Sequence, residues 1–362
     1  MGFSTLALHC GTKDKSFGAT LPPIYQVSAF SHESMEDLEM VFQGKSSGFA
    51  YTRIGNPTVA AFEQRINALE HGNGAVATSS GMAAITQQFL NILSSGDEII
   101  ASTGLYGGTI QLFSLLVNLG IKVHYVSDFS IKNLENIFET TANSDKIKAI
   151  FAETISNPSL QILDIKATAN FAHSKNIPLI IDNTTATPYL VNPIDLGSDI
   201  VIHSSSKYIN GSSDAVSGVI IDSCKFKWNF EKYPSLAKFK QFGIYANLVK
   251  LRKDTVASIG GCLSPLNAYL NTIGLETLSL RIEKICDNAY QLAKFLSQIH
   301  GIEVNYPLLD EDSSTRKILV KEQLKGKAGG ILTLRAGSKK KAFKIINSLK
   351  IATIASNIGD IR

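Results

Sequence analysis

Ile177-Pro178-Leu179-Ile180-Ile181-Asp182-Asn183 is a short apolar run that ends in an acid. Twenty-five residues beyond Asp182, the run Ile200-Val201-Ile202-His203-Ser204-Ser205-Ser206-Lys207-Tyr208 ends in serines and a lysine. Both runs are too short for independent helices and rich in isoleucine and valine, so they read as buried strands. Continuous apolarity, without polar alternation, is the signature of strands covered on both faces, as in a parallel sheet. Ligands of open parallel sheets collect outside the carboxyl ends of the strands. Asp182 and Lys207 are therefore expected to project from two strand ends at one rim.

The flanking sequence supports that sheet. Strands are predicted over 75–78, 98–101, 122–126, 148–152, 179–181, 199–202 and 219–221, with helices over 58–69, 81–93, 109–119, 131–140 and 166–175. Strands alternating with helices predict an α/β fold with a mostly parallel central sheet. Before residue 58 no period is sustained, and Pro22-Pro23 interrupts any helix there; residues 1–57 are expected to be an extended arm. Residues 224–260 are irregular and aromatic-rich. Leu278, Ile282, Ile285, Ala289, Leu292, Leu296 and Ile299 then follow helical spacing. With a strand over 331–334 and a helix over 342–349, this predicts a smaller α+β unit over residues 261–362, after an α/β domain of residues 58–260. The last stretch, 354–362, reads as the interior of a strand or loop, so the second unit is expected to be truncated.

Composition narrows the function classes. With 44% hydrophobic and 18% charged residues among 362, the chain has ordinary globular usage and not that of a disordered one. A net charge of +4 offers no footprint for nucleic acid. The four cysteines, Cys10, Cys224, Cys262 and Cys286, form no CxxC pair and no disulfide framework. No signal peptide or membrane-length apolar run is read, so a cytoplasmic location without membrane attachment is expected. Seven histidines without ligand spacing argue against metal catalysis. Gly72-Asn73-Gly74-Ala75-Val76-Ala77 matches a dinucleotide fingerprint, but it follows a helix and precedes a strand, the reverse of the required order. It reads as a helix-ending turn, with Gly72 as the cap.

An acid and a lysine at one rim suit pyridoxal phosphate (PLP). The lysine can bind the aldehyde, and the acid can keep the pyridine nitrogen protonated so that the ring withdraws electrons. Ser79-Ser80-Gly81-Met82-Ala83 opens a helix directly after a strand, an arrangement suited to an anion. Ser204 and Ser206 supply hydroxyls from the lysine's own turn. A structural Asp–Lys pair with ordinary turn serines satisfies the same spacing.

Six segments occur in the order and at the spacing of one family. They are 51–58 (Tyr51-Thr52-Arg53-Ile54-Gly55-Asn56-Pro57-Thr58), 79–84, Leu105-Tyr106-Gly107-Gly108-Thr109, 153–158, Ile181-Asp182-Asn183-Thr184, and 203–211. Through them the chain resembles the Cys/Met-metabolism family of PLP enzymes, of the aspartate-aminotransferase-like fold type I. The resemblance implies Lys207 as the Schiff-base lysine and Asp182 as the pyridinium partner. It implies Tyr106 stacked on the ring and assisting proton transfer, and Gly81, Met82, Ser204 and Ser206 around the phosphate. Asn157 would lie near the ring hydroxyl and the substrate carboxylate. Tyr51 and Arg53 would reach into a neighbouring subunit's phosphate site, making a homodimer the minimal active unit and a homotetramer the usual assembly.

Finer likeness concerns the reaction. Segments 261–268 and 274–281, Phe226-Lys227-Trp228, Tyr233-Pro234, and Asn357-Ile358-Gly359-Asp360 are similar to the O-acetylhomoserine sulfhydrylase branch. Gly108 stands where methionine γ-lyases typically carry a cysteine. The implied reaction is γ-replacement, O-acetylhomoserine and sulfide giving homocysteine and acetate. Cystathionine γ-synthase, cystathionine γ-lyase and methionine γ-lyase activities are the alternatives. The acyl group on homoserine, and sulfide free or carried by a protein, stay open. The family's arginine for the substrate carboxylate is expected beyond residue 362, and Arg362 takes no such role. A non-catalytic subunit is the alternative of another class, against which the intact Lys207, Asp182 and phosphate set argue.

Overall fold

A computed structural model describes residues 1–11 and 18–361; Arg362 lies outside the described residues. The strands of the central sheet are β1 (Gly74–Thr78), β2 (Glu98–Ser102), β3 (Lys122–Val126), β4 (Ile147–Glu153), β5 (Leu179–Asp182), β6 (Ile200–His203) and β7 (Gly218–Asp222). They lie in the order β1-β7-β6-β5-β4-β2-β3. Strands β3, β2, β4, β5 and β6 run parallel, whereas β7 is antiparallel to both β6 and β1. The sheet is thus mostly parallel, as read from the sequence, with a reversed strand next to the edge.

The two apolar runs that end in Asp182 and Lys207 form neighbouring strands. Ile180, Ile181 and Val201 pair in the β5–β6 ladder, and Asp182 stands opposite Ile202. Leu179, Ile180, Ile181, Ile200, Val201 and Ile202 are all fully buried. Burying each such side chain stabilises the fold by roughly 1.5–3 kcal/mol. Both faces of the sheet are covered, which explains the lack of polar alternation. One face carries Val76, Ala149, Phe151, Ile180, Ile200, Ile202 and Ile220, packed with residues of the helix Gly81–Ile92. The other carries Ala75, Ala77, Ile150, Ile181, Val201 and Ile221.

Among the described residues, seven α-helices precede β5. They are α1 (Phe3–His9), α2 (Met35–Gln43), α3 (Pro57–Leu69), α4 (Gly81–Ile92), α5 (Gly107–Asn118), α6 (Ile131–Thr140) and α7 (Ile165–Ser174). Several have a side-chain cap at the start. Asn56 accepts from Thr58 N at the head of α3, with Pro57 in the first turn. Ser80 accepts from Ala83 N at the head of α4, and Asp164 from Ala167 N at that of α7. Phe89 of α4, Phe113 of α5 and Phe151 of β4 meet edge to face, with centroids 5.4–5.6 Å apart. Such pairs add about 0.5–1.5 kcal/mol each beyond burial. Here they fix α4 and α5 against the strand that ends at the site.

Two expectations need correction. The first 57 residues are not uniformly extended: α1 and α2 are helical. Helix α1 docks on its own chain, with Ala7 buried and Phe3 in an edge contact with Tyr189 at 5.1 Å. Just beyond it, Arg65 Nε donates to Cys10 O at 3.0 Å. A seven-residue helix has too few turns for its period to stand out. At the end of α3 the left-handed residue is His71 (φ 59°) and not Gly72. Gly72 follows it, and its N–H donates to Asn67 O at 2.9 Å. The turn therefore closes with a non-glycine at the left-handed position.

Beyond β7 lies a short-helical stretch from Pro234 to Ile259, then helices Pro265–Glu276 and Leu278–Leu296. A two-stranded antiparallel sheet, Glu303–Asn305 with Thr333–Arg335, completes the smaller unit with helices Thr315–Gln323 and Lys339–Asn347. The helix Pro265–Glu276 escapes the apolar pattern because its inward positions include Asn271 and Thr272, both buried. Leu263, Leu275, Tyr306 and Ala328 belong to the same apolar cluster as residues of α3 and β5. The two units therefore share one core.

Candidate active site

The carboxyl ends of β4, β5 and β6 and the head of α4 open onto one cavity of about 770 Å³, a volume usual for small-molecule sites. It is lined by Gly81, Met82, Tyr106, Asn157, Asp182, Ser204, Ser206 and Lys207. Eight of the ten residues singled out from the sequence are thus brought together. Tyr51 and Arg53 are not among the lining residues. Arg53 lies 5.4 Å over the Tyr51 ring and donates to Ala257 O, and the Tyr51 side chain is exposed.

Strand alternation explains which residues face the cavity. Asp182 follows Ile181 and points to the α4 side, and Asn183 points to the other. Asp182 Oδ1 accepts from Thr184 N at 2.9 Å, while Thr184 Oγ1 accepts from Ser204 N at 2.8 Å. One threonine thus ties the acid's turn to the lysine's. Behind the rim, Asn183 accepts from Thr154 Oγ1 (2.8 Å) and donates to Glu70 Oε1 (2.8 Å). Glu70 Oε1 also meets His203 Nε2 at 2.6 Å. This buried network holds the ends of β4, β5 and β6 in register. Burial pushes the Asp182 carboxyl up, partly offset by its bonds to Thr184 and by His203.

Lys207 sits in a tight turn. Its N–H donates to Ser204 O at 3.1 Å and its carbonyl accepts from Gly211 N at 2.9 Å. Arg281 anchors the same turn by donating to Tyr208 O and Gly274 O, both at 2.6 Å. Gly211 has φ 73°, where a side chain is strained, and a Cβ there would stand 2.3 Å from the Arg281 guanidinium and displace it. Lys207 Nζ donates to Asn357 Oδ1 at 2.6 Å. Burial holds the amine below the ordinary lysine range, and Asp360 opposes that shift.

The opposite wall is the head of α4. Gly81 and Met82 precede the first intrahelical bond, Ala84 N to Ser80 O, so their N–H groups point out of the helix. A Cβ on Gly81 would lie 2.6 Å from Ser204 Cβ; the lack of a side chain lets the helix head meet the lysine's turn. Ser206 is committed elsewhere: its hydroxyl donates to Ser217 O (3.0 Å) and accepts from Ser217 N (2.8 Å). Tyr106, 52% exposed, heads α5. Its ring folds so closely over Gly108 that a Cβ there would be 2.5 Å from Cε1.

Sequence reasoning misses two groups. Glu153 lines the cavity at the end of β4, and a signal exists, since it ends an apolar strand as Asp182 does. Asn357 comes from 150 residues beyond Lys207, and no local pattern announces that contact.

These features fit pyridoxal phosphate. The half-buried lysine has a depressed pKa, and the buried carboxyl faces the same cavity. Outward N–H groups at a helix head suit the phosphate. The fold and the cavity together define a PLP enzyme of the parallel-sheet type. The family model for Cys/Met metabolism PLP-dependent enzymes matches residues 4–362, and the chain belongs to that family. The O-acetyl-L-homoserine sulfhydrylase of Corynebacterium glutamicum is 39% identical over 100% of this chain and 85% of its own. That of Leptospira meyeri is 37% identical over 99% and 85%. A Campylobacter jejuni crystal structure described as a putative O-acetylhomoserine (thiol)-lyase, with N'-pyridoxyl-lysine-5'-monophosphate, superposes with a TM-score of 0.91. It is 32% identical and covers 99% of this chain and 91% of that one. Among the described residues no helix is long and apolar enough to cross a membrane.

Proposed function

We propose that the chain catalyses PLP-dependent γ-replacement, converting O-acetylhomoserine and sulfide to homocysteine and acetate. The observation that carries this reading is likeness along this whole chain to 85% of the length of two sulfhydrylases, joined to a cavity that combines Lys207, Asp182 and the head of α4. Bound at Lys207, the cofactor supplies an electron sink for charge developing at the substrate Cα. Lys207 would hold the cofactor, and its Nζ as a free amine would take the substrate Cα proton and then serve Cβ. Its depressed pKa keeps more of the amine neutral near neutral pH. Asp182 holds a proton on the ring nitrogen by pairing with it as an anion. Gly81 and Met82 donate N–H bonds to the phosphate, and Ser204 adds a hydroxyl. Ser206 joins them only by rotating its hydroxyl away from Ser217 O. Tyr106 covers the ring and excludes water, and Asn157 orients the substrate side. Tyr51 and Arg53 act in a neighbouring subunit's site, so a homodimer is the smallest active unit, within a cytoplasmic homotetramer. The units are the arm 1–57, the cofactor domain 58–260 and the C-terminal domain 261–362.

The test is an absorbance spectrum of the purified protein, before and after O-acetylhomoserine, with Lys207→Ala alongside. A visible band of lysine-bound cofactor is expected in the native protein, shifted by substrate and missing from the variant. Sulfide should then yield homocysteine. Keto acid released without sulfide would instead favour a γ-lyase, and no band in PLP-treated, folded protein would overturn the cofactor assignment.

A further inference from the structure

Glu153 is a buried carboxylate in the cavity, 8% exposed, to which the reaction above gives no task. Both of its oxygens are engaged, and each accepts from a different loop. Oε1 accepts from Tyr106 N at 2.6 Å, and Oε2 accepts from Asn157 N at 3.0 Å. Tyr106 closes the loop between β2 and α5, and Asn157 belongs to the loop after β4. Glu153 itself is the last residue of β4 and pairs with Asp182 in the sheet, so the clamp is mounted on the rigid scaffold.

We propose that Glu153 is a positioning residue that sets the Tyr106 ring and the Asn157 side chain on the cofactor by fixing both backbones with one carboxylate. This rests on the cofactor reading above. Three observations carry it. One side chain joins the loops that leave the neighbouring strands β2 and β4, and in its ionised form both oxygens accept and make the stronger hydrogen bonds. The Tyr106 ring is half exposed, so its place depends on its backbone more than on packing. The residue's ionisation is also sensitive to the site. Burial and the neighbouring Asp182 push Glu153 up to about 8, against the two N–H bonds that pull it down. A cation at the Asp182 end would relieve that repulsion and strengthen the clamp when cofactor is present.

Glu153→Gln tests it, because an amide keeps one accepting oxygen and turns the other acceptor into a donor, facing an N–H. Four quantities are measured on purified holoenzyme: thermal midpoint, PLP affinity of the stripped protein, the induced circular dichroism of bound PLP, and the split of kcat from KM. The expected result is a changed dichroic band, PLP affinity weaker by about tenfold or more, and a fall chiefly in kcat. Asp222→Asn is the control. Asp222 is a buried carboxylate at the other end of the sheet that accepts from Cys224 N and Asn247 Nδ2. Its loss should lower the midpoint and leave the dichroic band alone. An unchanged band and unchanged kcat in E153Q would overturn the proposal. If E153Q does not fold, amide hydrogen exchange on the native holoenzyme decides: slow exchange at Tyr106 and Asn157 supports the clamp, and fast exchange at both overturns it. A native protein without the lysine-bound PLP band would sink the cofactor reading itself, a different failure from a normal band that E153Q leaves intact.

Discussion

The amine of Lys207 is tuned by two opposing neighbours. Burial lowers its pKa and the Asp360 carboxylate raises it. Asp360→Asn removes the raising charge, so the neutral amine persists to lower pH. The acid limb of kcat against pH for homocysteine formation, which reports the amine freed in the substrate complex, should therefore move to lower pH in the variant; a limb that stays in place would show that Asp360 does not act on the lysine. At this scale the sequence is most informative where chemistry and strand pattern coincide. Asp182 and Lys207 are legible because each closes an apolar run. Glu153 carries the same mark at the end of β4, but residue type does not show that its two oxygens meet the N–H groups of Tyr106 and Asn157. Asn357 and Asp360 reach the lysine only through tertiary folding, and nothing in their neighbourhood announces it. The phosphate role expected of Ser206 meets a competing bond, since residue type shows a hydroxyl and not its partner.

Elements decide how the cradle is presented. Helix α4 begins at the cavity because Ser80 caps it, and Ser80 Oγ accepts from Ala83 N at 3.0 Å. Ser80→Ala should cost about 1 kcal/mol of stability and weaken PLP binding together with it, because the same turn presents the N–H groups of Gly81 and Met82. Denaturant unfolding and PLP titration check this; a loss of stability with affinity unchanged would separate the cap from the cradle. The neighbouring strand adds a second constraint. A Cβ on Gly218 would lie 2.2 Å from Ser80 O, so β7 passes the helix head at backbone contact. The strands of the central sheet are readable as short apolar runs buried on both faces, and the helices α3 to α7 from their alternation with those runs. The arm helices α1 and α2 are not, being too short to repeat a pattern. The short-helical stretch after β7 is equally silent, because its aromatic residues follow neither the helical nor the strand period.

The assembled molecule poses the question that one chain leaves to its copies. If Arg53 serves a neighbouring subunit's site, mixing two inactive proteins should restore activity. Arg53→Ala contributes an intact Lys207, and Lys207→Ala contributes an intact Arg53, so a mixed dimer holds one complete site. Activity should reappear after the two variants are unfolded and refolded together, and not when each is refolded alone; no recovery from mixed, folded oligomers would place Arg53 in a purely local role. The sheet order carries a last consequence, for how the molecule is made. Among the described strands β1 forms its ladder with β7, from Gly74↔Asp222 to Thr78↔Gly218, and beyond that has a single bridge, Thr78↔Cys262. Its partner thus leaves the ribosome about 140–150 residues later, roughly 7–30 s at common synthesis rates. Throughout that interval Ala75-Val76-Ala77 is an apolar strand with both edges open to mispairing, so the growing chain is most exposed to aggregation after β1 has emerged and before β7 has.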